Sequence, residues 1–140
     1  MPIFLDSNIL LDLIDPTSRW REWARSALDV AATPLLINMV VFAEVSVRFA
    51  SADIAERLLA EIDVAIVPID LDAAYRAGKA HAAYRRAGGA RSGVLADFLI
   101  GAHATTLRAT LMTRDRQRFA SYFPDLTLMT PDHLGETHHG

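Results

Sequence analysis

Apolar residues fall along this chain in short clusters whose spacing changes from block to block. Residues 2–6, PIFLD, form a continuous apolar run closing on an acid, the pattern of a buried strand that ends at Asp6. In SNILLDLID, Ile9, Leu10, Leu13 and Ile14 recur at helical spacing until Pro16 stops the helix. Residues 17–32 predict a second amphipathic helix with Trp20, Trp23, Ala27 and Val30 along one side. LLIN, after Pro34, predicts a strand, followed by helices over about 39–50 and 52–62. VAIVPID (64–70) is β-branched and predicts a third strand, and a long helix then runs until Gly88 and Gly89 stop it. After GGARSG, residues 94–107 predict a helix rich in small residues. ATLMT (109–113) predicts a fourth strand, RDRQRFASYF a short helix and LTLMT (126–130) a fifth strand. Residues 132–140 read as a polar, frayed tail beyond a domain spanning 1–131.

Strands alternating with helices predict an α/β fold, a parallel sheet flanked by helices on both faces. At 140 residues, with no internal repeat, linker or low-complexity tract, one domain is expected. The chain has no cysteine, which excludes disulfides, thiol nucleophiles and cysteine-based zinc sites. It opens without a basic start and long apolar run, and no apolar stretch reaches the roughly 18 residues of a membrane span. A soluble, cytoplasmic protein is the expectation, with no membrane partner. The net charge of −3 provides no electrostatic footprint for nucleic acid. The bases are thirteen Arg and the single Lys79; Arg suits phosphate recognition, but a GC-rich coding sequence produces the same bias. Composition leaves the function open.

Of the seventeen acids, most sit on polar helix faces, in first turns, near helix ends or in loops, where solvent and the helix dipole account for them. Four differ. Asp6 closes a strand; Glu44 lies within VVFAEV; Asp97 lies within VLADFLIGAHA; Asp115 follows TLMT. A carboxylate in apolar surroundings costs several kcal/mol unless it is paired or bound to a cation, at roughly the transfer cost of a buried polar group. Each has an ordinary explanation: Asp6 and Asp115 as caps, Glu44 and Asp97 as partners of a buried Arg. Taken together they converge, because open parallel sheets bind ligands beyond the carboxyl ends of strands where strand order reverses. If the first and fourth strands flank that point, Asp6 and Asp115 face each other, with Glu44 and Asp97 on helices nearby. Hard oxygen donors without His or Cys select Mg²⁺ or Mn²⁺, and phosphodiester hydrolysis uses such a site.

These residues carry a resemblance. DSNILLDLI after the first strand, the Glu of FAEV, ADFLIGAHA and LMTRDRQRF resemble the PIN-domain ribonucleases, and most of all the VapC-type toxins of bacterial toxin–antitoxin pairs. The likeness runs from Ile3 to about Pro131. It implies a sheet ordered 3-2-1-4-5, dependence on Mg²⁺ or Mn²⁺, an RNA substrate, a homodimer and a VapB-like antitoxin partner. By position Asp6, Glu44, Asp97 and Asp115 match the family's acidic quartet, and Thr113 a hydroxyl residue two before the last acid. Asn38 departs from the Ser or Thr common ahead of the helix carrying the Glu.

Other residues are ambiguous. Asn8 beside Asp6 reads as a cap or a supporting residue. Arg85, Arg86 and Arg91 bracket the GGARSG loop, as phosphate contacts or as ordinary helix-end cations. Arg114, Arg116 and Arg118 adjoin Asp115, with Arg116 or Arg114 expected nearest the cleft. His103 lies about 120° around the helix from Asp97 and reads as an interior or interface residue. His81 reads as helix surface, and His133, His138 and His139 fall in the tail. An aspartyl phosphatase is disfavoured by Asn8 where a second Asp is expected, and a receiver domain by Lys79 lying mid-helix. A housekeeping nuclease without an antitoxin and a non-catalytic binding module stay open. The helices from Met39 to Ile62 carry more apolar residues than one buried stripe requires, an expected partner surface. An Arg from such a partner is expected to enter the acidic cleft in place of a metal.

Overall fold

All three residues of β1 (Ile3–Leu5) are buried. Successive side chains of a strand point to opposite faces, so the sheet is covered on both sides at this strand. The computed structural model describes residues 1–131. After β1 come α1 (Ser7–Ile14), α2 (Arg21–Ala31), β2 (Leu35–Ile37), α3 (Met39–Ser46), α4 (Ala52–Glu61), β3 (Val64–Ile66) and α5 (Leu71–Arg86). The chain continues through α6 (Val94–Thr106), β4 (Thr110–Met112), α7 (Gln117–Ala120) and β5 (Thr127–Met129). The strands form one sheet in the order β3-β2-β1-β4-β5, every pairing parallel, as the resemblance implied. Strand order reverses between β1 and β4, where Phe4 lies opposite Leu111.

The ladder runs one residue past these strands. Asp6 N–H donates to the Met112 carbonyl at 3.0 Å and Thr113 N–H to the Met129 carbonyl at 3.1 Å. Asp6 and Thr113 thereby stand side by side at the carboxyl edge of the sheet. The strands are shorter than their apolar runs: in VAIVPID pairing fades after Val67, because Pro68 has no N–H to donate. The helix expected to reach residue 50 ends at Ser46, and Arg48 and Phe49 close tighter turns onto the Val45 and Ser46 carbonyls.

The second helix begins later than its pattern implied, because Asp15 accepts from Thr17 N–H and Oγ1 and holds that segment as a turn. Its buried face is also rotated. Ala24, Ala27, Leu28 and Ala31 pack on the core at i, i+3, i+4, i+7 spacing, while Val30 is 86% exposed and Trp20 precedes the helix.

The most enclosed helix is α6, with Phe98, Ile100, Ala102, His103 and Ala104 all buried. Its small residues admit close neighbours. A Cβ on Gly101 would stand 2.6 Å from the Phe123 ring, so only glycine lets that ring pack there. Phe98 meets Tyr84, Tyr122 and Phe123 at ring distances of 5.1–5.9 Å. His81, expected on the surface, is half-buried with its ring edge to Phe98. Among the described residues no helix is long and apolar enough to cross a membrane.

Candidate active site

Asp6 leaves β1 and caps α1, its Oδ1 accepting Ser7 N–H at 2.8 Å. Its Oδ2 accepts from Thr113 Oγ1 at 2.7 Å, Arg118 Nη2 at 2.8 Å and Asn8 Nδ2 at 3.3 Å. A fully buried carboxylate needs such a complement of donors. Thr113 is buried too, and its hydroxyl accepts Asp115 N–H at 3.1 Å, so one side chain sets both acids. Asn8 Oδ1 accepts Arg114 N–H at 3.3 Å and ties the loop after β4 to α1. Asn8 and Thr113 thus both support Asp6.

Asp97 stands in the first turn of α6 with its side chain 16% exposed. Burial raises its carboxyl above the ordinary value; Asp6 and Asp115 add repulsion, while Arg118 and Arg91 oppose it. Glu44, on α3, is raised as well, first by desolvation and then by Asp6 and Asp97, against a hydrogen bond from Ser7. Glu44 is nevertheless exposed, which corrects the expectation of an apolar setting: Val41 and Val45 turn to the core and Glu44 faces away from them. Asp115 is half-exposed, and its Oδ1 accepts Arg118 N–H at 3.3 Å. The mutual effects among Asp6, Glu44, Asp97 and Asp115 mark one acidic cleft at the reversal of strand order.

The arginine in this cleft is Arg118. Its Nη2 lies 2.8 Å from Asp6 Oδ2 and 3.2 Å from Asp97 Oδ1. Its Nε lies 3.9 Å from Asp115 Oδ2 and, though buried, has no hydrogen-bond acceptor. The arginines expected nearest the cleft are turned elsewhere. Arg114 Nε pairs with Asp12 Oδ2 at 2.8 Å while its guanidinium lies 5.8 Å from the Trp20 ring, and Arg116 Nη2 donates to Thr130 Oγ1 at 3.2 Å. The signal available in the sequence was spacing: Arg118, in the first turn of α7, lies three residues after Asp115 and turns back over it. Asp12, an acid inside NILLDLI with the same apolar neighbours in sequence as Asp97, is buried and accepts from Ser18 Oγ. Arg91 is exposed ahead of α6, with its N–H on Tyr84 Oη at 3.0 Å, and Arg85 and Arg86 close the last turn of α5.

The donor set suits a hard divalent cation, since it is all carboxylate with a guanidinium standing among the acids as a cation. Among the described residues no three His, Asp or Glu side chains are gathered closely enough to hold one ion as they stand. They are arranged around Arg118 instead.

A second polar group lies deeper. Asn38 caps α3, its Oδ1 accepting the N–H groups of Val40 and Val41 at 3.0 and 3.1 Å. That use of Oδ1 turns its Nδ2 toward His103 Nδ1 at 3.1 Å. Nδ1 is therefore the acceptor and the other ring nitrogen donates to the Pro68 carbonyl, a neutral tautomer fixed on both sides. His103 is interior, 1% exposed. His133, His138 and His139 lie outside the described residues.

A sequence model of the PIN domain matches residues 3–122 of the chain. No curated protein matches it by sequence. Among solved structures it is similar to a toxin–antitoxin complex from Klebsiella pneumoniae, at 28% identity and TM-score 0.68, covering 92% of this chain and 97% of that one. It is similar to VapBC2 from Rickettsia felis bound to a promoter DNA fragment, at 19% identity and TM-score 0.71, over 93% and 98% of the two chains. VapC20 of Mycobacterium tuberculosis, a sarcin–ricin loop cleaving toxin, has 17% identity and TM-score 0.63, over 86% and 95%.

Proposed function

The chain belongs to the PIN-domain family, and from that premise we propose that it is a metal-dependent endoribonuclease serving as the toxin of a toxin–antitoxin pair. The observation that carries the nuclease reading is the convergence of four carboxylates on one cleft, two of them with raised proton affinity and Asp6 fully buried. Asp6, Glu44, Asp97 and Asp115 would hold Mg²⁺ or Mn²⁺. Such an ion supplies hydroxide at neutral pH and stabilises the leaving oxygen of a phosphodiester. Thr113 and Asn8 hold Asp6 in place, and Arg91, exposed ahead of α6, offers positive charge to the RNA backbone, whereas Arg116 is turned toward Thr130. RNA as substrate goes with a cytoplasmic location, which belongs to the same proposal, and VapC20, of like fold, is a sarcin–ricin loop cleaving toxin.

The toxin reading draws on the Klebsiella complex, at 28% identity, and on surface. A groove of about 610 Å³ beside α1 and α4 is lined by Leu11, Ile14, Trp20, Phe49 and Leu58 together with Asp12, Asp15, Ser18, Arg48 and Arg114. An amphipathic antitoxin segment suits it. Met39, Val47 and Ile54 are exposed apolar residues on α3, α4 and the turn between them, and a homodimer would cover them.

The test is RNA cleavage by the purified chain. EDTA should stop it, Mn²⁺ or Mg²⁺ should restore it, and sedimentation should give a dimer. Cleavage at full rate in EDTA would exclude a metal mechanism. Expression alone should arrest growth, and co-expression with the product of the adjacent gene should restore it. Harmless expression without a copurifying partner would remove the toxin reading and leave the nuclease.

A further inference from the structure

Arg118 stands where a cation is required, yet it satisfies the cleft incompletely. One Nη2 is shared between Asp6 and Asp97, while the buried Nε reaches no acceptor and stays 3.9 Å from Asp115. A buried donor without a partner carries a desolvation penalty that a fully seated arginine avoids. One guanidinium also faces Asp6, Asp97 and Asp115 at once. The position is therefore underfilled in charge and in hydrogen bonds. It is also flexible in origin. Arg118 projects from α7, a helix of four residues, and 22% of its side chain remains exposed, so the guanidinium can leave toward solvent without unpacking the core.

We infer that Arg118 is an internal competitor of the divalent cation: it holds Asp6, Asp97 and Asp115 together without metal and must withdraw before the acids can close on an ion. Among the described residues no three acids are gathered for one ion, the arrangement such a competitor imposes. The device protects the cleft from unbalanced repulsion and sets the metal concentration at which the site fills. It also has a consequence for inhibition, because any partner arginine aimed at the same acids meets Arg118 first. This inference rests on the metal-dependent reading of the same cleft.

The experiment measures Mn²⁺ binding by calorimetry on the whole chain, comparing wild type with Arg118→Gln, Arg118→Lys and Asp97→Asn. Removing a positive charge from among the ligands should tighten Mn²⁺ binding of Arg118→Gln by at least about tenfold. Arg118→Lys, which keeps the charge and loses the fork, should fall between that variant and wild type. Metal-free Arg118→Gln should melt below wild type, and saturating Mn²⁺ should erase the difference. Should Arg118→Gln fold poorly, the wild type still reports: adding Mg²⁺ should shift the Arg118 Nε–H resonance. Unchanged or weaker Mn²⁺ binding by Arg118→Gln, with Asp97→Asn still losing affinity, overturns the competitor alone. Absence of Mn²⁺ binding in every form overturns the competitor and the metal reading together. An Nε–H resonance that does not respond to Mg²⁺ while Mn²⁺ binds also overturns the competitor.

Discussion

Helix α6 presents one polar side chain to the cleft and another to the core, and the protein treats the two in opposite ways. His103 is enclosed, neutral and satisfied: Asn38 donates to one ring nitrogen and the Pro68 carbonyl accepts from the other. Asp97, six residues earlier, is enclosed more loosely and shares a single guanidinium nitrogen with Asp6. The first group has as many donors as acceptors and no net charge. The second has four acids and one resident arginine, whose Nε has no acceptor. Buried polar groups that only stabilise a fold tend toward complete pairing, because each unpaired one is penalised. A cluster that keeps surplus charge of one sign is poised for something the chain does not itself supply.

The sharpest way to break this contrast is to truncate one residue from each group. Asp97→Ala should lower RNA cleavage by more than about 100-fold, beyond the range typical for residues that merely support a metal ligand. Circular dichroism should show its helices intact. His103→Gln should stay within a few-fold of wild-type cleavage and instead lower the melting temperature. If His103→Gln proves as inactive as Asp97→Ala while equally folded, the division between the two ends of α6 is wrong.

Next in size is Asn38. Asn38→Ala removes the cap of α3 and leaves His103 Nδ1 buried without a donor, losses of roughly 1 kcal/mol and 1–3 kcal/mol respectively. Urea unfolding should show both together. Asn38→Ser keeps a capping oxygen and should recover only the smaller part. Equal stability of the two variants would mean that the cap contributes nothing, and wild-type stability of Asn38→Ser that the contact with His103 contributes nothing.

Much of this arrangement was readable in advance, and the failures have physical reasons. Strand positions and parallel pairing followed from short apolar runs alternating with helical spacing, a signal that survives because the central strands are covered on both faces. The strand order rested on the family resemblance. Thr113 and Asn8 stand against Asp6 because ladder geometry places the residues after β1 and β4 side by side. What escaped was side-chain direction. Glu44 sits among apolar neighbours in sequence, but periodicity could not tell that Val41 and Val45 point one way and Glu44 another. Of three arginines around Asp115, Arg118 enters the cleft because helical α7 brings i and i+3 together, and because Asp12 draws Arg114 away. The role of Asn38 was invisible for a different reason: its partner His103 is 65 residues distant, and only the packing of α3 on α6 joins them.

The smallest expected effect is a pH dependence in which the two groups oppose each other. Desolvation lowers the His103 pKa from its ordinary 6.5, against the pull of Asp70 and the Pro68 carbonyl. Below that value the unfolded chain takes up a proton that the folded chain resists. The stability contributed by neutral His103 is therefore complete above about 6.5, the ordinary His value, and is lost as pH falls toward the lowered value. Asp97 and Glu44 run the other way. Their folded pKa values are raised above the ordinary 3.8 and 4.5, so the folded chain holds protons the unfolded chain has released, and stability declines as pH rises through that range. Between the two windows the slopes offset, and the wild-type curve alone conceals both. Differences separate them. Stability of wild type minus His103→Gln should be flat above about pH 6.5 and fall on acidification, following the ordinary His value. Metal-free Glu44→Gln should gain on wild type as pH rises above the ordinary Glu value of 4.5, and saturating Mn²⁺ should cancel that gain. A His103 difference that instead grows on acidification would mean that Asp70 stabilises the imidazolium more than burial opposes it, and the satisfied neutral pair would have to be abandoned.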